Sequence, residues 1–519
     1  MQQLDNTGFG RVRSYLWPIH SHELKKLIPM FLMLFFVCFN YTVLRNLKDT
    51  LVVTANASGA EVIPFIKVWA MLPGAVLATM LFTYLSNRCS RKTLFYAVIS
   101  FFLAVFFCFT FIVYPIYPSL CADQLANFLQ TVLPTGCKGF ISMVRNWPLT
   151  LFYVVAELWG TMVLTVLFWG FANEITRLSE ATRFYSALNI GSNASAIIAG
   201  QVAAFLSSGV FNPDLLFGAT AWEQSLAKLT LLIVGCGLGI LVAFHWMTKN
   251  VLNDPKYLPE GVHDTKKGKG KKEKKMTFRE SLSFIAGSKY LLCIAAIVIS
   301  YNLVIHMVEV LWKDRLHQMY PDPHEYNIYI NNLTSAMGII STSAALAMVG
   351  IIRKLGWTKT ALVTPIVLLV TTAAFFTCLI ADETLSPYLA LFLGTTPLAL
   401  AVLLGSVQNC FTKAAKYSLF DVTKEMAFIP LSPEQKLKGK AAIDGIGSRL
   451  GKSGGSVVHQ GLMVLFCSLS SSTPYVAAIL FAVIILWIVS VKTLGAQFQQ
   501  KADDADETIS QKEAAGAVI

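Results

Sequence analysis

About twelve apolar segments, each near twenty residues long and set apart by polar connections, decide what this chain can fold into. They fall near residues 27–47, 62–86, 93–117, 148–172, 184–208, 226–247, 283–312, 327–351, 359–380, 386–412, 441–467 and 473–492. A bilayer core holds no water to satisfy exposed backbone groups, so each segment must close its own hydrogen bonds as a helix. Composition agrees: of 519 residues, 55% are hydrophobic and 14% charged, and the mean hydropathy is +0.58. The expected fold class is an all-α polytopic membrane protein of about twelve transmembrane helices.

The net charge of +12 could point to nucleic acid, but its placement argues against that partner. Lys and Arg gather in alternate connections. Arg11, Arg13, Lys25 and Lys26 precede the first segment, and Arg88, Arg91 and Lys92 follow the second. Arg177 and Arg183 follow the fourth, Lys266 to Lys275 the sixth, Arg353 and Lys354 the eighth, and Lys424, Lys436 and Lys438 the tenth. That bias places both termini in the cytoplasm. Membrane lipid is then the surrounding partner. The run GKGKKEKK at 268–275 reads as a solvated linker, with contact to lipid headgroups as the sharper alternative.

The domain plan that follows has a cytoplasmic tail (1–26), a six-helix half (27–247), a basic cytoplasmic linker (248–282), a second six-helix half (283–493) and a cytoplasmic tail (494–519). The halves echo one another. LKDTL at 47–51 returns as WKDRL at 312–316, Arg91-Lys92 as Arg353-Lys354, and Ile190-Gly191-Ser192 as Ile446-Gly447-Ser448. Parallel repeats with a site at their interface are a transporter arrangement. Ten cysteines show no metal-ligand spacing, so neither a metal nor another cofactor is expected. Cys121 and Cys137 share one connection, which leaves a disulfide open if that connection is extracytoplasmic. No cleavable signal or transit extension is evident in residues 1–26.

Charges inside apolar segments are costly and are retained chiefly for ligands or ion paths. Lys48 lies near the end of the first segment with Arg45 three residues before it; Glu157 lies in AELWG and Glu309 in HMVEVLWK. Arg449 and Lys452 sit in the glycine-rich stretch AAIDGIGSRLGKSGG at 441–455. These six are the candidate substrate-binding residues, the cations suiting a polyanion and the carboxylates suiting the cations, a proton or an amino group. Long basic side chains near helix ends can instead snorkel to the interface, the reading taken for Lys313, Lys413 and Lys416. His306 reads as a packing residue.

The stretch at 441–455 fails as a phosphate loop of a hydrolase. Gly451-Lys452-Ser453 matches the end of G-x-x-x-x-G-K-[ST], but the position of the first glycine is Ile446 and no strand precedes it. Its glycines serve better as helix-packing positions. With no catalytic constellation and no large soluble domain, the chain reads as a transporter and not as an enzyme.

Five stretches carry a resemblance over most of the chain: NYTVLRNLKDTLVVTA (40–55), AELWGTMVLTVLFWGFANEIT (156–176), HMVEVLWK (306–313), AKYSLFDVTKEMAFIPL (415–431) and KGKAAIDGIGSRLGKSGG (438–455). The sequence resembles the nucleotide transporters of obligate intracellular bacteria and plastids, the ATP/ADP antiporters. The resemblance implies a twelve-helix fold similar to the major facilitator superfamily. It also implies import of host ATP in exchange for ADP and phosphate, without hydrolysis. The family's two intramembrane lysines and two glutamates carry over to Lys48, Glu157, Glu309 and Lys452, with Lys438 and Lys440 close to the last in the same motif. A proton-coupled or broad-specificity nucleotide importer is the alternative within the same family. The lack of a transit extension favours a bacterial plasma membrane over a plastid envelope.

Overall fold

A computed structural model describes residue 20 and residues 23–215, 217–252 and 278–516. Most of the expected linker and of the N-terminal tail therefore lies outside the described residues, as do the side chains of residues 346–354, Arg449 and Lys452. The described chain is helical, with no strand among its residues.

Among the described residues, ten helices are long and apolar enough to cross a membrane. We label α1 Leu24–Val53, α2 Val62–Arg88, α3 Arg91–Leu120, α4 Trp147–Ile175, α5 Leu178–Ser207, α6 Ala221–Asn250 and α7 Lys289–Met319. Helix α8, Pro323–Ile380, bends at Gly356, whose φ of 73° breaks the helical path and folds one continuous helix into two arms. Helices α9 (Pro397–Ala427), α10 (Ser448–Phe466) and α11 (Leu469–Gly516) complete the set. The expected eighth and eleventh segments are both helical, as the first arm of α8 and as α10, but neither is among the ten. In α10 the cause is composition: SRLGKSGGSVVHQ is too polar for a lipid-facing helix and suits one turned towards its neighbours. The tenth segment also starts later and runs further than expected, as Pro397–Ala427. Gly394, in left-handed conformation at φ 61°, ends Asp382–Leu393 before Pro397 starts α9.

Local sequence explains where the helices begin. The side chains of Ser90, Thr220, Ser288 and Thr396 each accept from a backbone N–H in the first turn of the following helix. Asp322 does the same ahead of Pro323. Five π-helical stretches interrupt the spans, at Ile66–Ala70, Phe109–Val113, Trp159–Phe168, Lys416–Phe420 and Ile443–Gly447. Each adds a residue to a turn and so re-aims the side chains beside it.

Successive helices alternate in direction, so each has a near end, on the side where α1 begins, and a far end. Polar contacts joining α1–α6 to α7–α11 gather towards the far end. Asn46 donates to Asn331 (2.8 Å) and Thr334 (3.0 Å), Thr50 to Asn327 (3.2 Å), and Asn327 to Ser207 (2.8 Å). Ser335 donates to the Ile197 carbonyl at 2.8 Å, and Gly200 admits Ser335 and Asn331 so closely that a Cβ would clash. Gln460 of α10 donates to the Pro64 carbonyl and accepts from Trp69, fastening α10 to the start of α2.

At the near end the ion pairs among the described residues stay local. Lys26 meets Glu180 at 2.6 Å, Arg183 meets Glu23 at 2.6 Å, and Arg91 meets Glu174, all within α1–α5 or their flanks. Lys424 meets Asp444 at 2.9 Å and Lys440 meets Glu425 at 2.6 Å, all between α9 and the approach to α10. Among the described residues the far end is stitched across the bundle, and these near-end pairs tie each group of helices within itself.

Candidate functional site

Level with the far-end seam, between Asn46 and Thr50 on α1, two lysines and three carboxylates form one connected chain. Lys48 Nζ lies 2.9 Å from Asp49 Oδ1 and 3.3 Å from Glu157 Oε2, so the first and fourth helices meet through one ammonium. Asp49 Oδ2 lies 2.8 Å from Lys313 Nζ, which also reaches Glu309 Oε1 at 3.0 Å. Asp49 therefore bridges α1 and α7. The side chains of Lys48, Asp49 and Lys313 are 4–5% exposed, whereas Glu309 is 26% and Glu157 is 38% exposed. The centre of the chain is sealed and its two ends face accessible space.

Several features hold the lysines in place. Lys48 Nζ sits 3.8 Å from the centroid of the Tyr153 ring, a cation–π contact that offsets part of its desolvation. The hydroxyls of Tyr153 and Tyr326 are buried with no hydrogen-bond partner among the described residues. Trp159 and Trp312 lie close to Glu157 and Glu309 in sequence. They anchor α4 and α7 by donating to the carbonyls of Val37 (3.1 Å) and Val402 (3.2 Å). Burying such a network is expensive, and it persists because every lysine in it has two carboxylate contacts.

A third cation joins the edge of this chain. Lys67, in the π-helical turn of α2, lies 3.3 Å from His306 Nδ1, which is 3.7 Å from Glu309 Oε2. Arg45 is half-buried on α1, and Lys413 is half-buried on α9; each has a charge that acts on the other.

Of the residues expected from sequence, the structure brings Lys48, Glu157 and Glu309 into one network and sets Arg45 one turn from Lys48. Arg449 and Lys452 lie on α10, and their side chains are outside the described residues. The glycines around them do pack helices together: a Cβ at Gly451 would meet Asn302 and the Ile299 backbone of α7. Lys313 needs correcting. It is not interfacial but buried at the middle of the network, because α7 continues to Met319 instead of ending near 312. His306 is likewise in the network and not a packing residue. Asp49 and Lys67 were not singled out. The matched LKD and WKD steps were the signal for Asp49 and Lys313 together. Cys121 and Cys137 are both free thiols, so the expected option of a disulfide is not taken up.

Comparison with known proteins agrees over almost the full length. The model of the TLC ATP/ADP transporter family matches residues 2–498. The chain is 43% identical to ADP,ATP carrier protein 1 of Chlamydia pneumoniae, over 100% of both sequences. It is 45% identical to ADP,ATP carrier protein 1 of Chlamydia muridarum, over 99% of this chain and 96% of that one. It is 41% identical to the chloroplastic ADP,ATP carrier protein 1 of Arabidopsis thaliana, over 93% of this chain and 75% of that one. Among solved structures, a bacterial homologue of the iron transporter ferroportin superposes with a TM-score of 0.56 at 12% identity, covering 92% of this chain and 99% of that one. A bacterial metal transporter gives 0.53 at 11% identity, covering 91% and 98%. The chain thus shares its all-helical fold with these solved structures.

Proposed function

We propose that this chain, which belongs to the TLC ATP/ADP transporter family, exchanges ATP for ADP and phosphate across a membrane by alternating access. It is a transporter and not an enzyme. The observation that carries the reading is the charge chain Glu157–Lys48–Asp49–Lys313–Glu309 at the meeting of α1, α4 and α7, sealed at its centre and accessible at its two ends. A buried ammonium shared between two carboxylates can leave one of them when a phosphate arrives, since a phosphate is itself a charge-assisted acceptor.

In this reading Lys48 and Lys452 receive the phosphates, assisted by Arg45 and Arg449. Glu157 and Glu309 hold the lysines when no nucleotide is bound. Helices α1–α6 and α7–α11 act as two halves that rock about the site, opening one end at a time. Both termini lie on the near, cytoplasmic side, and the membrane is a bacterial plasma membrane.

The test is counterflow of labelled ATP into liposomes loaded with ADP. Uptake that depends strictly on internal nucleotide, and that falls at least about a hundredfold in Lys48→Ala or Lys452→Ala, is the expected outcome. Unchanged exchange in both variants would remove the model. Uptake into empty vesicles driven by a pH gradient would replace exchange with proton-coupled import.

A further inference from the structure

The carboxylates of the central network are all committed. Asp49 holds Lys48 and Lys313, Glu157 holds Lys48, and Glu309 holds Lys313. Four cations, Lys48, Lys67, Lys313 and Lys413, act on one or more of these three carboxylates, and Arg45 acts on Lys413. Positive charge is therefore in surplus. Lys67 has no carboxylate within 4 Å among the described residues, and Arg45 and Lys413 make no ion pair there. A structural ion network is built towards neutrality, because uncompensated charge in a low dielectric is costly. A surplus of cations is what a site for a polyanion requires.

Lys67 is the best placed of the three. Its one hydrogen-bonding neighbour among the described residues is the His306 ring nitrogen at 3.3 Å, which as an acceptor offers dipole but no charge. It sits in the π-helical turn Ile66–Ala70, whose extra residue swings the lysine towards α7. The same turn is fastened to α10 through Trp69 to Gln460 (3.2 Å) and Gln460 to the Pro64 carbonyl (2.8 Å). That helix also carries Lys452, two turns before Gln460. The side chain is half-buried, so it borders accessible space instead of being sealed like Lys48 and Lys313.

We propose that Lys67 is a substrate-binding residue that contacts a phosphoryl group of the transported anion, with His306 as the neutral neighbour holding its ammonium between turnovers. This rests on the nucleotide-exchange reading above. It adds the second helix to the binding site and supplies a cation that needs to break no ion pair when phosphate arrives. The ligand group is a phosphoryl oxygen, whether it belongs to a nucleotide or to free phosphate.

The experiment uses the full chain in liposomes, comparing wild type, Lys67→Gln and Lys67→Arg in counterflow of labelled ATP, ADP and inorganic phosphate. Lys67→Gln should raise KM about tenfold, the loss expected for one charge-assisted hydrogen bond, with kcat changed much less. Lys67→Arg should recover most of the loss, since it restores the charge. A rise for nucleotides alone assigns Lys67 to the nucleotide tail, and a rise for phosphate alone assigns it to the free anion; both support the proposal. Unchanged KM for all three, with normal wild-type exchange, overturns it. If wild type itself shows no nucleotide exchange, the broader reading fails instead. Should Lys67→Gln be inactive, the rise in Tm on adding ADP to purified protein decides. A lost rise with an unchanged ligand-free Tm supports the proposal, and a retained rise overturns it.

Discussion

Two Lys-Asp steps, Lys48-Asp49 on α1 and Lys313-Asp314 on α7, occupy matching places in the sequence and do different work. Asp49 turns inward and binds both lysines, its own neighbour at 2.9 Å and the other helix's at 2.8 Å. Asp314 turns aside and accepts from Gln318 of its own helix at 2.8 Å. Lys48 takes its second carboxylate, Glu157, from α4, whereas Lys313 takes Glu309 from its own helix four residues back. A duplicated motif has thus become a single central carboxylate serving two cations. Two symmetric pairs would hold each helix to itself; one shared aspartate joins α1 to α7.

If that asymmetry matters, Asp49→Asn should be the most damaging change in the network. It leaves two buried ammoniums with one carboxylate each, and breaking a buried pair costs about 3–5 kcal/mol. Counterflow should fall by at least about a hundredfold, and the protein's Tm should drop. Near-normal exchange in this variant would break the comparison outright. Combined with Lys313→Gln, the two losses should fail to add, with a coupling of about 1–3 kcal/mol in the unfolding free energies.

The outer carboxylates should matter less, because each lysine then keeps Asp49. Glu157→Gln and Glu309→Gln remove one of two contacts at 38% and 26% exposed side chains, where water supplies part of what is lost. Exchange should fall roughly tenfold in each, as for one charge-assisted hydrogen bond. A loss equal to that of Asp49→Asn would mean that the ends of the chain, and not its centre, carry the function.

How much of this was legible beforehand follows from what a hydropathy pattern records. It finds α1 to α7 because their apolar runs are long, and it places Lys48, Glu157 and Glu309 because charges stand out against such runs. It misjudges where a run ends. Helix α7 carries its polar final turns beyond the apolar stretch, so Lys313 looked like an end residue although the helix continues to Met319. Lys67 went unnoticed because it lies only six residues into α2, where a lysine reads as a start-of-span residue. The π-helical turn that aims it at His306 has no signature in composition. Partner choice at Asp49 depends on helix packing across the bundle and could not be read from either helix alone.

The amide seam flanking the network should respond more gently. Asn331→Ala removes the 2.8 Å acceptor of Asn46 while leaving Thr334 at 3.0 Å to replace part of it. One neutral hydrogen bond is worth about 1 kcal/mol, so the balance between far-end-closed and far-end-open states should shift about fivefold. A cysteine introduced at Ser335, labelled from the far side and read by mass spectrometry of its peptide, should react about fivefold faster in this background. An unchanged labelling rate would show that the seam's apolar packing, and not its amide pairs, keeps it closed.

Asp314→Asn should have the smallest effect of all, and it is the control that gives the comparison its meaning. Asp314 and Asp49 both follow a lysine at matching positions, and both lie on helices of the same bundle. Local sequence would assign them equal weight. Only the direction of the side chain differs: Asp314 points to Gln318, an amide that can donate equally well to an asparagine oxygen. Exchange and stability should stay within about twofold of wild type, the range expected for a surface-like change that keeps its hydrogen bond. A large loss would show that Asp314 takes up an inward partner in the other state of the transport cycle. The asymmetry between the two steps would then alternate as the far end opens, and would not be a fixed property of the fold.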